Sequence, residues 1–228
     1  MKLAVVIPAH NEEKMIAQVL GAIPQKIDGI TSLHPIVISD ASRDDTARRA
    51  RRAGALVLEH RMNLGAGAAT LTGLIAARRL ACQAAVTLDG DGQHDPADIP
   101  ALVEAYRQHQ ADLVIGSRFL SGTIESMPPL KWYGNKGMNG ITYLFSGHAV
   151  SDSQSGFRLF GPGFLKVLHA FNTGGYEFCS EALMIARREG LTVTEAPIKT
   201  IYFDDRRGQN PLNALNIFLR LFYKALTG

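Results

Sequence analysis

Apolar, β-branched runs alternate with amphipathic stretches along the first half of the chain. Each run is short and continuously apolar, which is typical of strands buried on both faces of a parallel sheet. Between the runs, apolar positions recur with the helical period. This alternation continues to about residue 116 and predicts a doubly wound α/β fold. The predicted strands are Leu3–Ile7, Pro35–Ser39, Ala55–Leu58, Ala85–Leu88 and Leu113–Ile115.

Local signals predict where the helices begin and end. Asn11 is expected to cap the first helix, because acids follow it in the first turn. Ser42–Asp45 fits a capping box for the second helix, and Gly54 is expected to end that helix. A third helix is predicted over Gly67–Leu80. The preceding Gly65-Ala-Gly67 predicts a closely packed turn, because it lacks the full dinucleotide-binding pattern.

The pattern changes after residue 120. Residues 122–147 are rich in Gly, Pro, Met and aromatic residues, a helix is predicted over Glu177–Arg188, and a strand over Thr192–Ala196. A charged loop is expected at 201–210, and an apolar helix with two basic residues after it. We therefore predict one domain over residues 1–210 and a C-terminal amphipathic or apolar helix over 211–228.

Composition narrows the class of protein. A chain of 228 residues that is 46% hydrophobic can bury a full core. The formal charge of +3 is not concentrated in a basic tract, so we expect no nucleic-acid partner. Cys82 and Cys179 have no metal-ligand spacing and are expected to be free thiols of a cytoplasmic protein. No apolar run approaches the roughly 20 residues of a membrane span.

Polar clusters follow four of the predicted strands, where ligands of such sheets bind. The most informative is Asp89-Gly-Asp91, two carboxylates one residue apart at the end of the fourth strand. Such a pair can share Mg²⁺ or Mn²⁺, which take oxygen ligands together with substrate phosphates. Gly90 and Gly92 have no side chains that would block a ligand. Gln93 and His94 could coordinate the metal ion themselves or hold one of its ligands by a hydrogen bond. An Asx-rich turn is the alternative for these residues taken alone.

Several blocks in sequence order resemble family 2 glycosyltransferases, and most of all the polyprenyl-phosphate sugar synthases of the dolichyl-phosphate mannose synthase type. The resemblance extends from residue 3 to about residue 208. The blocks that carry it are Val6-Ile-Pro8, Asn11-Glu12, Ser39-Asp40, Asp89–His94, Gly116-Ser-Arg118, Asp152 and Ser155–Arg158.

The resemblance implies a GT-A fold, with a mostly parallel twisted sheet and helices on both faces, and a UDP- or GDP-linked sugar donor. Matching positions assign residues to the donor, to the metal and to the chemistry. For the nucleotide sugar they are Pro8, His10, Glu12, Asp40, Asp89, Gln93 and Arg206. For Mg²⁺ or Mn²⁺ they are Asp89, Asp91 and Gln93, and for catalysis Asp91, Arg118, Lys131 and Glu181.

The implied acceptor is a polyprenyl phosphate, bound by Arg118, Lys131, Asn135 and Arg158. The family's single displacement inverts the anomeric centre. A phosphate acceptor is already anionic and needs cations that position it, rather than a general base. A lipid acceptor also implies peripheral contact with the inner face of the cytoplasmic membrane.

Other functions remain open from the sequence. A family 2 enzyme could act on a saccharide hydroxyl instead, with Glu177, Glu181 or Asp152 as the base. A sugar-nucleotide pyrophosphorylase usually has a Gly-rich loop after the first strand, whereas this chain has Pro8-Ala-His-Asn11. Two departures from the family weaken the assignment of the donor. His10 stands where such enzymes often have an aromatic residue, and the late loop reads Gly208-Gln-Asn-Pro211 where they often have Gly-x-Ser-Lys.

Overall fold

The computed structural model describes residues 1–120, 129–172 and 178–199, with the backbone alone at 129–131 and 133. These residues form an α/β fold around one sheet of seven strands in the order β3-β2-β1-β4-β6-β5-β7. The strands are β1 Lys2–Ala9, β2 Ser32–Asp40, β3 Leu56–His60, β4 Ala84–Thr87, β5 Leu113–Ser117, β6 Arg158–Phe160 and β7 Val193–Pro197.

Helices cover both faces of the sheet, which confirms the predicted α/β class. Apolar residues of the strands face two separate core clusters, one on each side. The described helices are α1 Ile16–Gly21, α2 Thr46–Arg52, α3 Ala66–Arg79, α4 Ile99–His109, α5 Pro129–Ser146, α6 Pro162–Lys166 and α7 Phe178–Arg188.

One strand runs against the others. β6 lies between β4 and β5 and pairs antiparallel with both, whereas the other pairings are parallel. The sheet is therefore mostly parallel. Because β6 enters from the opposite direction, its first residue, Arg158, lies beside Thr87 at the carboxyl end of β4. This insertion brings the Asp152–Arg158 segment to the edge of the sheet where the polar clusters of β1, β2 and β4 meet.

Helix α3 packs closely on the centre of the sheet at Gly73. A Cβ at this position would collide with the side chains of Val6 and Ile38. The glycine therefore sets the distance between α3 and strands β1 and β2. The α3 N-terminus follows Gly65, whose φ of +90° favours glycine. Ala66 and Gly67 already belong to the helix, so the turn predicted at Gly65-Ala-Gly67 is limited to Gly65.

Two predicted helix caps are wrong. Helix α1 begins at Ile16, and Asn11 has a φ of +57° in the preceding loop, where its side chain accepts from the amide of Arg43. Helix α2 begins at Thr46, four residues after Ser42, and the Ser42 hydroxyl accepts from the amide of Asn11. Asp45 precedes the helix, and its side chain makes no capping hydrogen bond. Asn11 and Ser42 thus bind across to the neighbouring loop, so they are not used as the predicted caps.

None of the described helices is both long enough and apolar enough to cross a membrane.

Candidate active site

A cleft of ≈ 160 Å³ opens at the carboxyl ends of β1 and β4. One wall comes from the two strand ends, a second from the first turn of α3, and a third from the 154–158 segment and the start of α7. This is the sheet edge where the sequence predicts ligand binding. The lining residues are Pro8, Ala66, Gly67, Thr70, Thr87, Leu88, Asp89, Gln154, Gly156, Arg158, Phe178 and Cys179.

The loops after β1 and β2 are joined by side chain to backbone hydrogen bonds. The amide of Glu12 donates to Thr46 Oγ1 at 2.8 Å, and the amide of Asn11 donates to Ser42 Oγ at 3.1 Å. His10, which is exposed, donates from Nδ1 to the carbonyl oxygen of Asp40 at 2.6 Å. Of the three predicted nucleotide residues, Pro8 lines the cleft, and His10 and Glu12 lie in the loop that follows β1.

Asp40 has a different immediate role from the predicted contact with the base or ribose. Its carboxylate is buried and accepts from the amides of Leu64 at 2.9 Å and Gly65 at 2.8 Å. Its Oδ1 also lies 2.8 Å from His60 Nδ1. The side chain therefore shapes the turn that leads into α3, whose first residues line the cleft. A direct contact with the donor stays a prediction.

Asp89 and Asp91 both lie in the turn after β4. The Asp89 side chain is 47% exposed, and its carboxylate lies 3.5 Å from His94 Nδ1. Asp91 accepts from the amide of Gln93 at 3.0 Å and from Gln93 Nε2 at 2.9 Å. Gly90 lets this turn approach β1, because a Cβ there would lie 3.1 Å from the carbonyl oxygen of Pro8.

These residues fit a divalent cation of the Mg²⁺ type. Two carboxylates supply hard oxygen ligands, and such ions commonly take the rest from phosphates and water. Within the described ranges, no group of three or more His, Cys, Asp or Glu residues is arranged to hold a metal ion. Gln93 turns its amide nitrogen toward Asp91, so it orients that carboxylate. Its predicted ligation of the metal remains untested.

A buried arginine, Arg158, holds the backbone of the segment before β6 by hydrogen bonds. Arg158 is 1% exposed, and its guanidinium donates to the carbonyl oxygens of Ser153, Ser155 and Cys179 at 2.6, 2.8 and 2.7 Å. The carbonyl of Gly156 accepts from Thr87 Oγ1 at 2.7 Å. This geometry favours a structural role for Arg158 over the predicted contact with the acceptor, because its donors are directed into the protein.

Arg118 forms a two-pronged ion pair with a buried acid. Its Nε and Nη2 donate to the Asp152 carboxylate at 2.7 and 2.8 Å, and its amide donates to the same group at 3.2 Å. The Asp152 side chain is 1% exposed, whereas that of Arg118 is 21% exposed. The pair fixes the arginine at the end of β5. It also makes Asp152 a poor candidate for a general base, because its carboxylate is buried and both of its oxygens accept from the Arg118 guanidinium.

Glu181 lies on α7 and is 4% exposed, with Oε1 accepting from the amide of Asn172 at 3.0 Å. Among the described residues, the lining of the cleft does not include Glu181, so its predicted catalytic role has no support from position. Lys131 and Asn135 lie on α5, and the side chain of Lys131 is outside the described atoms. Glu177 and Arg206 are outside the described residues.

Sequence reasoning missed part of the cleft wall. Gln154, Gly156 and Cys179 line it, and Gln154 Nε2 donates to Ser153 Oγ and Ser180 Oγ at 3.1 and 3.0 Å. The pKa of the Cys179 thiol is raised, first of all by burial. Gln154 and Gly156 fall inside the Asp152–Arg158 block, which was a signal for them. Cys179 carries no local signal, because it reaches the cleft wall through tertiary contacts, such as the hydrogen bond from Arg158 to its carbonyl oxygen.

Comparison with known proteins identifies the family. The model of glycosyl transferase family 2 matches residues 4–162, which include most of β1, all of β2 to β6 and the Asp89–Asp91 turn. The chain belongs to glycosyl transferase family 2. This membership confirms the family inferred from the sequence blocks and makes the protein a glycosyltransferase.

Relatives of this family 2 glycosyltransferase are named for lipid-phosphate acceptors. The UDP-N-acetylglucosamine–dolichyl-phosphate N-acetylglucosaminyltransferase of Methanococcus voltae is 37% identical over 95% of this chain and 93% of its own length. The polyprenol monophosphomannose synthase of Mycolicibacterium smegmatis is 28% identical over 98% of this chain and 86% of its own length.

Solved structures confirm the GT-A-like fold. Glucosyl-3-phosphoglycerate synthase from Mycobacterium tuberculosis, in complex with Mn²⁺, UDP and glucosyl-3-phosphoglycerate, matches with a TM-score of 0.67 at 20% identity. The match covers 99% of this chain and 79% of that chain.

Proposed function

We propose that this family 2 glycosyltransferase moves a hexose from a UDP- or GDP-linked donor to a polyprenyl phosphate, with inversion at the anomeric carbon. The observation that carries the proposal is the Asp89–Asp91 pair at the open edge of the cleft, with the half-exposed Asp89 among the lining residues. The relatives named for dolichyl and polyprenyl phosphates support the acceptor, since both align over more than nine-tenths of this chain.

Asp89 and Asp91 would hold Mg²⁺ or Mn²⁺ against the donor diphosphate. A bound divalent cation acts there as a Lewis acid that stabilises the negative charge of the leaving nucleotide. Gln93 holds Asp91 through two hydrogen bonds, so this carboxylate is oriented before the donor binds. The use of Mn²⁺ or Mg²⁺ together with UDP in complexes of a protein with the same fold agrees with this assignment.

On the donor side, the loop that carries His10 and Glu12 continues from Pro8 in the cleft wall. His10 is exposed directly after β1, so this loop is accessible to a nucleotide. We assign the base and ribose to this side of the cleft and the diphosphate to the Asp89–Asp91 side. Arg206, which lies in the late charged loop, is proposed to bind the diphosphate as well.

On the acceptor side, a phosphate monoester is already anionic and can attack without loss of a proton to a base. It needs cations that position it, and Arg118, Lys131 and Asn135 are proposed for that role. The alternative acceptor, a saccharide hydroxyl, needs a base. Asp152 is bound to Arg118 and Glu181 is buried against the amide of Asn172, so neither favours that chemistry.

Exposed apolar residues on α5 agree with a substrate that stays in a lipid surface. Tyr143 is 53% exposed and Leu144 is 71% exposed near the end of this helix. Near its start, the Lys136 ammonium lies 5.6 Å from the ring centroid of Trp132. A lysine and aromatic rings on one helix are typical of the interface between lipid headgroups and acyl chains. We therefore propose peripheral contact with the membrane.

The experiment that tests this function is product analysis with matched acceptors. The purified protein is incubated with labelled UDP- and GDP-sugars, Mg²⁺ or Mn²⁺, and either a polyprenyl phosphate or a panel of oligosaccharides. We expect label in the lipid-phosphate product and none in the saccharides. Transfer to a saccharide hydroxyl, with lipid phosphate left unmodified by every donor, would overturn the proposal.

A further inference from the structure

The side chain of Asn139 on α5 holds the backbone on both sides of Asp152. Its Nδ2 donates to the carbonyl oxygen of Ser151 at 2.6 Å, and its Oδ1 accepts from the amide of Ser153 at 2.9 Å. The two bonds use a donor and an acceptor of one amide, so they fix its orientation. A half-buried side chain thus ties the helix directly to the segment that carries Asp152.

The same segment is held from the sheet by Glu195 on β7. The Glu195 carboxylate accepts from the amide of Ser151 at 2.9 Å and from the amide of Asp152 at 3.2 Å. Asp152 in turn receives the guanidinium of Arg118. The backbone at Asp152 is therefore fixed between the sheet and α5, and Asn139 is its link to the helix.

Helix α5 also carries two of the proposed acceptor residues. Lys131, Asn135 and Asn139 follow one another at intervals of four residues, which places the three positions on one side of the helix. At a rise of 1.5 Å per residue, position 131 is about 12 Å from position 139 along the axis. A rotation of α5 about its axis would therefore move positions 131 and 135 relative to Arg118.

We propose that Asn139 is a positioning residue that aligns the acceptor-binding side of α5 with the Arg118–Asp152 pair. The inference rests on the proposed function for the identity of the acceptor. Asn139 does not itself line the described part of the cleft, so it acts through the backbone of residues 151–153. Its loss should weaken the use of the acceptor and leave the donor side, which is built on β1, β2 and β4, unchanged.

The test compares Asn139→Ala with Thr142→Val on the same helix. Thr142 is 1% exposed and lies 3.1 Å, oxygen to oxygen, from Ser180 on α7, so its replacement removes one contact of α5 with α7 and keeps both hydrogen bonds of Asn139. In steady-state kinetics, Asn139→Ala should raise the KM for polyprenyl phosphate about tenfold, because two hydrogen bonds are lost. The KM for the nucleotide sugar should change less than about twofold, and Thr142→Val should change neither by more than that.

A second readout does not depend on turnover. Trp132, on α5, is the single tryptophan of the chain, so its fluorescence reports on this helix. Titration with a short-chain isoprenyl phosphate should change Trp132 emission in the wild type, and the midpoint should rise about tenfold in Asn139→Ala. Without ligand, the fluorescence anisotropy of Trp132 should be lower in Asn139→Ala than in the wild type, because α5 loses its link to residues 151–153. In Thr142→Val it should equal the wild-type value. If Asn139→Ala does not fold, Asn139→Gln, which keeps the amide but displaces it by one methylene group, should also raise the KM for the acceptor more than the KM for the donor.

The outcomes separate this inference from the proposed function. If the wild type neither binds nor glycosylates lipid phosphate, the proposed function fails, and the anisotropy of Trp132 alone decides on the role of Asn139. If the wild type is active but Asn139→Ala leaves the acceptor KM unchanged, the positioning role is overturned. Equal rises in the donor and acceptor KM, or an equal effect of Thr142→Val, would overturn it as well.

Discussion

Replacement of the buried Arg158 by Met should destabilise the protein rather than weaken only its use of the acceptor. The guanidinium is 1% exposed and donates to three backbone carbonyls from the segment before β6 and from α7. Methionine fills a similar volume with apolar atoms but offers none of these donors. Arg158→Met therefore distinguishes the structural role seen here from the acceptor contact that the sequence blocks predict.

The expected magnitude follows from the three carbonyls. Each buried acceptor left without its donor costs about 1–3 kcal/mol, so the gross loss is about 3–9 kcal/mol. Removal of a buried charge returns several kcal/mol of its desolvation cost. The net loss in the free energy of unfolding should be about 3 kcal/mol. For a chain of this size that corresponds to a fall in Tm of roughly 6–12 °C.

The assay is urea unfolding followed by circular dichroism, with Arg188→Met as the matched control. Arg188 makes an exposed ion pair with Glu189, so its replacement should change the free energy of unfolding by less than about 0.5 kcal/mol. A stability of Arg158→Met within about 1 kcal/mol of the wild type, combined with a raised KM for the acceptor, would refute this reasoning and restore the predicted contact.

Three further predictions concern the acceptor, the tail and pH. Arg118→Ala should raise the acceptor KM roughly ten- to a hundredfold and the donor KM far less, since a charge-assisted phosphate contact contributes about 1.5–3 kcal/mol; steady-state kinetics that raise only the donor KM would contradict this. Residues 211–228 lie outside the described residues, and their deletion should reduce sedimentation of the protein with anionic vesicles. The circular dichroism of the remaining chain should be unchanged, and equal sedimentation of the full and shortened proteins would dismiss the membrane role. The pKa of His148 is lowered by burial and by Arg187, and its Nε2 is buried without a hydrogen-bond partner in the described part of the chain. In the unfolded chain His148 is protonated near pH 6.5, whereas the folded protein binds this proton only at lower pH, so Tm should fall as pH drops below about 6.5. His148→Gln should reduce this fall, and an identical fall in both proteins would contradict the prediction.

The sequence predicts the parallel half of the fold well, because each of its strands carries its own signal. Leu3–Ile7 and Pro35–Ser39 are continuous apolar runs, and the structure extends both by only a few residues. The antiparallel β6 could not be predicted in its place, because Arg158-Leu-Phe160 is only three residues long. Its position between β4 and β5 follows from pairing with residues about 45 and 75 positions earlier in the chain, which no local pattern shows.

The candidate site was predictable where its chemistry is local. Asp89 and Asp91 adjoin one strand, and the structure places them at the predicted edge of the sheet. The hydrogen-bond partners of Asp40 and Arg118 were not predictable. Asp40 is bound by the amides of residues more than twenty positions away, and Arg118 by a carboxylate 34 positions away. Such partners depend on tertiary structure, as do the two bonds of Asn139.

The most direct test of the proposed transfer is one radiochemical measurement of sugar transfer to a polyprenyl phosphate, with wild type and Asp91→Asn compared in Mn²⁺ and in chelator. We expect a lipid-phosphate glycoside only from the wild type in Mn²⁺. Asp91→Asn should keep the wild-type circular dichroism spectrum but lose at least about a hundredfold in rate, because it removes a carboxylate from the cation site. Full transfer by Asp91→Asn in chelator would contradict the account at its centre, as would the absence of any lipid-linked product from the wild type.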